Sequence, residues 1–483
     1  MRKLIIICFS LLFSIAGFSQ NKKWTLQECV QYALDNHITI KQTQLDEETA
    51  AIEKKDAIGN YLPTLNANAS NSWNSGLTQN ITTGVLENQT LRNSSYSITA
   101  GIQIFNGFRN KKSLDRAELS RIAADYNIAK IKDDTALSVA LAYLSVLLNK
   151  ENLKTVVSQN AVTKEQIART QELVDGGVLP SGDLLEIKAT DASEYQRIVS
   201  AENAVTISLI NLAQLLAFDD YSTFDIEDSA YSIIGESILD TTPEVLIEKA
   251  KESRYDLKIV EQNLEIAKKD LEISKTSLYP TLSGFFNYNT RESGAPTINR
   301  FEDPDNPVSI SENPTAIVGG TNQSVFALIP NIIAEEGDPT PFTDQLYLND
   351  GISYGVQLSV PIFNGFSTRN SIKRSEVNVR RSEFQSEQAR LNFESAVYQA
   401  YTDAKAAKES YEAAIVALNS QELAYEYAKL RYDVGRTNAF DFSQSKQRFD
   451  NAQIELTRTK YDYIFRIKVL ELYFGVPATE LKF

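Results

Sequence analysis

The pentapeptide Ile-Phe-Asn-Gly-Phe occupies positions 104–108 and returns at 362–366, and the reading of this pair decides the fold. The copies are 258 positions apart. The same offset carries Tyr96 onto Tyr354, Arg116 onto Arg374, Glu118 onto Glu376, Asp175 onto Asp433, Gly177 onto Gly435 and Asp183 onto Asp441. Upstream the offset is 217, matching Ala33 to Ala250, Lys41 to Lys258 and Pro63 to Pro280. A tandem duplication with 41 extra residues between Pro280 and Ile362 accounts for both offsets.

Outward from each pentapeptide, both halves read in one order. A helical pattern (Leu26 to Ile58; Pro243 to Leu278) ends at Tyr-Leu-Pro-Thr-Leu or Leu-Tyr-Pro-Thr-Leu, where proline biases the preceding residue out of helix. Alternating segments follow, at about 64–75 and 94–106 in the first half and about 281–290 and 349–363 in the second. Tyr96, Ile98, Ala100, Ile102 and Ile104 alternate with Ser95, Ser97, Thr99 and Gln103; Ile352, Tyr354, Val356, Leu358, Val360 and Ile362 do the same more clearly. Thr281 to Thr290 alternates poorly because Phe285 interrupts its polar face. Period-two alternation over roughly ten residues suits a strand with lipid on one face and water on the other. An ordinary half-buried hairpin is the other reading. Four strands are too few to close a membrane barrel, which needs about eight, so spanning strands require several copies.

Beyond the pentapeptide, Arg109 to Val174 and Ser367 to Tyr432 run without proline. Leu137, Leu141, Leu144 and Leu148, and Tyr411, Ile415, Leu418 and Tyr425, keep the four-three spacing of coiled coils. Each long helix turns at glycine, near 175–182 and 433–440, and returns over Asp183 to Leu216 or Asp441 to Phe474. The hairpins thus cover about 108–216 and 366–474. In the pentapeptide, Asn106 and Asn364 are placed to accept hydrogen bonds from the first amides of the new helix, and Gly107 and Gly365 permit the change of direction. The domain reading is therefore a first repeat over 20–217, an acidic mixed linker over 218–242 and a second repeat over 243–483, with an exposed loop insertion within 291–346.

Residues 1–19 have the charged start, short apolar run and small-residue end of a secretory signal peptide. The full chain has formal net charge −15, and loss of Arg2 and Lys3 with the leader makes the remainder more acidic, which disfavours nucleic acid as a partner. Cys8 lies in the leader without a small residue before it, so no lipid-anchored cysteine is read, and Cys29 alone cannot form an internal disulfide. No later segment has about 18 uninterrupted apolar residues.

An exported chain duplicated as helix, two strands, long helix, tight turn and return helix resembles the TolC-like outer-membrane efflux and secretion channel family. The resemblance covers about residues 24–476. It rests on Ser-Val-Pro-Ile-Phe-Asn-Gly-Phe at 359–366, the tip-like segment 431–444 (Arg-Tyr-Asp-Val-Gly-Arg-Thr-Asn-Ala-Phe-Asp-Phe-Ser-Gln) and the opening helix from Trp24 to Lys41. It implies a mainly α fold with a transmembrane β-barrel: a homotrimer with a twelve-stranded barrel in the outer membrane of a Gram-negative bacterium, continued by a helical periplasmic tunnel. The implied partners are a periplasmic adaptor, an inner-membrane transporter of the RND, ABC or MFS type, and outer-membrane lipid. At the tip, Tyr432, Gly435 and Asp441 match the family pattern, Arg436 is displaced by one position because Thr437 stands in its usual place, and Gln444 replaces a second acid. The resemblance makes Asp441 a constriction residue; Asp175, Gly177 and Asp183 form the equivalent first-repeat tip, where Asp183 is expected to favour the helix N-terminus.

Enzymatic chemistry has little support here. His37 is the only histidine, so one chain cannot assemble a multi-histidine metal site. No phosphate-binding or dinucleotide motif is present, and no cofactor or metal is expected. Past Met1 the chain has no methionine, which disfavours a soft-metal relay. The reading is an exit duct; a periplasmic coiled-coil scaffold without channel activity is the alternative.

Overall fold

The computed structural model describes residues 22–79, 85–221, 223–228 and 233–473. The proposed signal peptide lies outside the described residues. In chain order the elements are β1 (Lys23–Trp24), α1 (Leu26–Asn36), α2 (Ile38–Gly59), β2 (Thr64–Gln79), β3 (Leu86–Phe105), α3 (Arg109–Asp175) and α4 (Ser181–Leu215). Then come β4 (Asp225–Ile226), a 3₁₀ turn (Glu236–Asp240), α5 (Pro243–Ser253), α6 (Tyr255–Thr276), β5 (Thr281–Ser293) and β6 (Thr297–Glu302). The chain ends with β7 (Val308–Ile310), β8 (Ala316–Ile317), β9 (Ser324–Val325), β10 (Leu328–Pro330), β11 (Ile332–Gly337), α7 (Phe342–Leu348), β12 (Gly351–Ser359), α8 (Ser367–Asp433) and α9 (Ala439–Tyr473). The described residues form two compact units, one helical (those within 1–54, 115–271 and 374–483) and one built on strands (those within 55–114 and 272–373).

In the helical unit the repeat is exact in length: α3 and α8 each have 67 residues and α4 and α9 each have 35. At 1.5 Å per residue the long helices extend about 100 Å. Thr25 and Glu28 cap α1 reciprocally: Glu28 N donates to Thr25 Oγ1 at 3.2 Å and Thr25 N donates to Glu28 Oε2 at 3.0 Å, satisfying two otherwise unpaired amides. The helical stretch ahead of each strand pair is broken once, at His37 and Arg254, whose extended ψ angles of 128° and 122° end α1 and α5. Cys29, Val30 and Ala33 of α1 pack with Val139, Tyr143 and Leu147 of α3, Leu212 of α4 and Ile464 of α9. Burial pushes the Cys29 thiol up to about 12, which suits a core residue and not a reactive one.

The linker folds onto this core. Lys23 and Trp24 pair in parallel with Asp225 and Ile226, a contact too short for periodicity to reveal. Tyr143 donates its hydroxyl to the Trp24 and Glu227 carbonyls, and Lys150 bonds Asp225 and Asp228 at 2.6 and 2.7 Å. By length and composition α4 could cross a bilayer, but Leu212 and Ala213 near its end lie in the helical core.

The second unit centres on an antiparallel sheet in the order β12-β5-β3-β2. Its strands are not bounded as alternation indicates. β2 continues to Gln79 and β3 begins at Leu86, because Thr78 and Gln79 pair with Glu87 and Leu86 through backbone bonds that side-chain polarity does not report. β12 stops at Ser359, opposite Thr281, the first residue of β5. Pro280 and Pro361 stand just beyond that pair and cannot extend the ladder. The insertion is a nested ribbon, β6 with β11, β7 with β10 and β8 with β9. α7 returns it to the sheet, with Gln345 bonding Ser293 N and O at 2.8 and 2.9 Å.

Candidate functional site

The two helical turns close with the same hydrogen bonds. Val178 N donates to Leu173 O at 2.8 Å and Gly177 N to Val174 O at 3.0 Å; Arg436 N donates to Arg431 O at 2.8 Å and Gly435 N to Tyr432 O at 2.9 Å. This six-residue closure needs a left-handed residue at its corner, and Gly177 and Gly435 supply it with φ of +73° and +69°. Asp175 is exposed at the end of α3, and its Oδ1 accepts from Gln171 at 2.9 Å.

Downstream the turns differ. Asn438 caps α9: its Oδ1 accepts from Asp441 N at 2.8 Å. Sequence reading passed over Asn438, although Asn is a strong N-cap residue. Asp441 is exposed in the first turn of α9, and Thr437 Oγ1 donates to its Oδ2 at 3.4 Å. Its counterpart Asp183 stands in the first turn of α4, which begins after Pro180 without a side-chain cap bond. Any preference of Asp183 for that position is therefore one of charge and dipole. Arg436 is exposed, and Gln444 lies in the cleft between α9 and α4 beside Glu186 and Thr190.

Tyr432 is a core residue of the tip. Fully buried, it stacks on Phe442 at 4.9 Å and shares a hydrogen bond with Thr170 of α3 at 3.1 Å between hydroxyls. Burial raises its phenol pKa, and Asp183 adds to the effect. Ile187 and Ala439 complete the cluster, so one aromatic ring ties four helices together. An ion pair from Arg169 to Asp433 at 3.4 Å joins the long helices nearby.

One to two turns further on lies a buried charge cluster that no local motif announces. Lys446 Nζ is 2.8 Å from Glu194 Oε1 on α4 and 2.7 Å from Asp450 Oδ2 on its own helix, with all three side chains almost wholly buried. Asn160 of α3 donates to Asp191 at 2.7 Å and to Glu194 at 3.3 Å, and Gln159 donates to the Asp450 carbonyl at 3.1 Å. Desolvation raises the Asp450 carboxyl pKa despite the adjacent ammonium.

In the strand unit the pentapeptides form matching junctions. Asn106 Oδ1 accepts from Asn110 N at 3.3 Å, and Asn364 Oδ1 from Thr368 N at 3.4 Å. Two successive residues, not one glycine, take the left-handed backbone: Gly107 and Phe108 at +65° and +66°, Gly365 and Phe366 at +62° and +64°. From sequence the change of direction is ascribed to the glycine alone, not to the phenylalanine after it. Its strain is offset by edge-to-face pairs, Phe105 with Phe108 at 5.4 Å and Phe363 with Phe366 at 5.6 Å.

No group of three or more metal-ligating side chains is assembled among the described residues. The described residues present charged helix turns and exposed strands. The profile of the family described as outer membrane efflux protein matches residues 29–217 and 346–475; the span left out holds the linker, α5, α6, β5 and the insertion. Outer membrane protein TolC of Vibrio cholerae is 24% identical over 377 residues, covering 76% of this chain and 74% of that protein. Protein CyaE of Bordetella pertussis is 22% identical over 412 residues, covering 85% and 75%. The solved outer membrane protein VceC of Vibrio cholerae superposes with a TM-score of 0.70 over 93% of this chain and 96% of its own at 14% identity, a likeness of fold alone.

Proposed function

Because the chain belongs to the outer membrane efflux protein family, we propose that three copies form the exit duct of a tripartite efflux pump or type I secretion system, passively conducting solutes from the periplasmic side to the exterior. The outer membrane of a Gram-negative bacterium is its location. The observation that carries the trimer is the four-stranded sheet. Each of the sixteen residues of β2 is exposed, and the outer strands β2 and β12 each pair on one side only. An isolated sheet with two open edges and apolar residues such as Ile352, Tyr354, Val356 and Leu358 facing solvent is a liability in water. Joining β2 of one copy to β12 of the next removes both edges, and three copies give twelve strands, a number that can close and present the apolar face to lipid.

In this reading the pentapeptides mark the two crossings from barrel to tunnel, and the turns at 175–182 and 433–440 form the periplasmic tip with Asp441 toward the axis. A periplasmic adaptor and an inner-membrane transporter of the RND, ABC or MFS type would supply the energy and select the cargo.

The test is fractionation followed by reconstitution. Detergent-extracted, heat-modifiable trimers from the outer membrane that give discrete conductance steps in planar bilayers are expected. A protein released by osmotic shock as a soluble species, with no conductance, overturns the duct and leaves the coiled-coil scaffold.

A further inference from the structure

We propose that Arg448 forms a second, cationic ring one heptad inward from Asp441, making the constriction charge-balanced and open to anionic solutes. The proposal rests on the duct reading above. Its starting point is the face pattern of α9. Ala439, Phe442, Lys446 and Asp450 are its buried residues near the tip. Asp441, Gln444 and Arg448 are exposed. A seven-residue step returns within about 20° of the same direction on a helix, so Arg448 stands almost directly above Asp441, about 10 Å along the axis. Both project from the side opposite the packed face. Whatever direction Asp441 faces in the assembly, Arg448 faces it too.

The two cations of this segment have different employment. Lys446 is consumed by Glu194 and Asp450. Arg448 has no ion-pair partner among the described residues, and neither does Asp441. Further along the same stripe Glu455 is already paired with Arg458, so its charge is locally compensated. With Gln444 uncharged, the free charges at the tip of α9 are one acid and one guanidinium per protomer.

Threefold symmetry would then stack three carboxylates below three guanidinium groups. Two acid rings would repel anions and concentrate cations. Here the rings cancel in sum, and at physiological salt their separation slightly exceeds the screening length of about 8 Å. A permeating ion meets each ring in turn, and a carboxylate- or phosphate-bearing solute finds a favourable station at Arg448 after passing Asp441. Arginine also holds its charge at any physiological pH and can bind such groups with two parallel hydrogen bonds.

Reversal potentials of full-length trimers in planar bilayers under a KCl gradient test this. Wild type is expected to discriminate weakly between K⁺ and Cl⁻. Arg448→Gln should move the K⁺/Cl⁻ permeability ratio at least threefold toward cations, Asp441→Asn should move it toward anions, and Arg448→Lys should keep the wild-type value. Both shifts should shrink in 1 M salt, where screening acts over about 3 Å. Conducting trimers whose reversal potential ignores Arg448→Gln while responding to Asp441→Asn overturn the proposal alone. A wild-type protein that never conducts overturns the duct reading, and the proposal with it.

Discussion

The first and second repeats share a backbone and differ in what covers it. Of the two 67-residue helices, α3 buries fifteen side chains and α8 seven. At the junctions Ile104 and Phe105 are 53% and 37% exposed, against 93% and 76% for Ile362 and Phe363. Identical pentapeptides therefore sit in unlike surroundings. The backbone turn follows from Asn, Gly and Phe themselves, whereas burial depends on neighbours. The second repeat therefore has the barer surface of the two.

The difference is sharpest at the buried lysine, and there the largest effect is expected. Lys446 and its repeat counterpart Lys188 have the same local place on a return helix, but Lys188 is exposed. Lys446→Met strands Glu194 and Asp450 without their cation, and breaking a buried pair in this way costs about 3–5 kcal/mol. Lys188→Met should change stability by under about 0.5 kcal/mol. Denaturant unfolding of the two variants measures both; similar losses would show that the repeats are more alike than their burial indicates.

A second break lies at the glycines. A Cβ on Gly107 would stand 2.7 Å from Tyr279 Cβ, whereas one on Gly365 meets nothing within 4 Å. Both positions carry the strain of positive φ, of order 1–3 kcal/mol for a side chain. Gly107→Val adds overpacking of about 1–3 kcal/mol. Thermal unfolding should therefore place Gly107→Val below Gly365→Val in isolated protomers, and trimer yield is the measure on which Gly365→Val should lose more than its protomer stability accounts for. Smaller still is Asn438→Ala, expected to cost about 1 kcal/mol as a lost N-cap. Pro180, its counterpart, makes no side-chain cap bond to lose.

These contrasts also show what was legible beforehand. The repeat, the long helices and the glycine turns are local in origin: periodicity, proline and Gly177 or Gly435 specify them. Strand ends were missed where pairing and polarity part company, as at Thr78 and Glu87, or where Pro361 interrupts a pattern whose apolar alternation runs on through Ile362. Lys23–Trp24 pairing with Asp225–Ile226 is non-local and too short to have a period. The cluster around Lys446 was invisible because Glu194 lies 252 positions away; Asp450 four residues on, where Lys188 has Ala192, signals a local ion pair but not its burial. Asn438 was the avoidable miss, since an Asn ahead of a helix is itself the signal.

The finest distinction between the repeats is in protons. Asp450 has Ala192 as its counterpart, so the first repeat carries no carboxyl at this position. Burial raises the Asp450 carboxyl above its ordinary value, with Lys446 opposing and Glu194 reinforcing the shift, and with Arg197 the other opposing cation nearby. A carboxyl whose folded pKa lies above its unfolded one binds its proton more tightly when folded. Its contribution to stability is then full below the unfolded value near 3.9 and is lost as pH rises through the folded value. Asp450→Asn removes that dependence while leaving Lys446 paired with Glu194. The stability of wild type minus that of Asp450→Asn should therefore fall as pH rises from about 4 toward neutrality. A difference that instead rises over this range would mean that Lys446 holds Asp450 ionised, and that the cluster is an attractive pair and not a buried acid tolerated between helices.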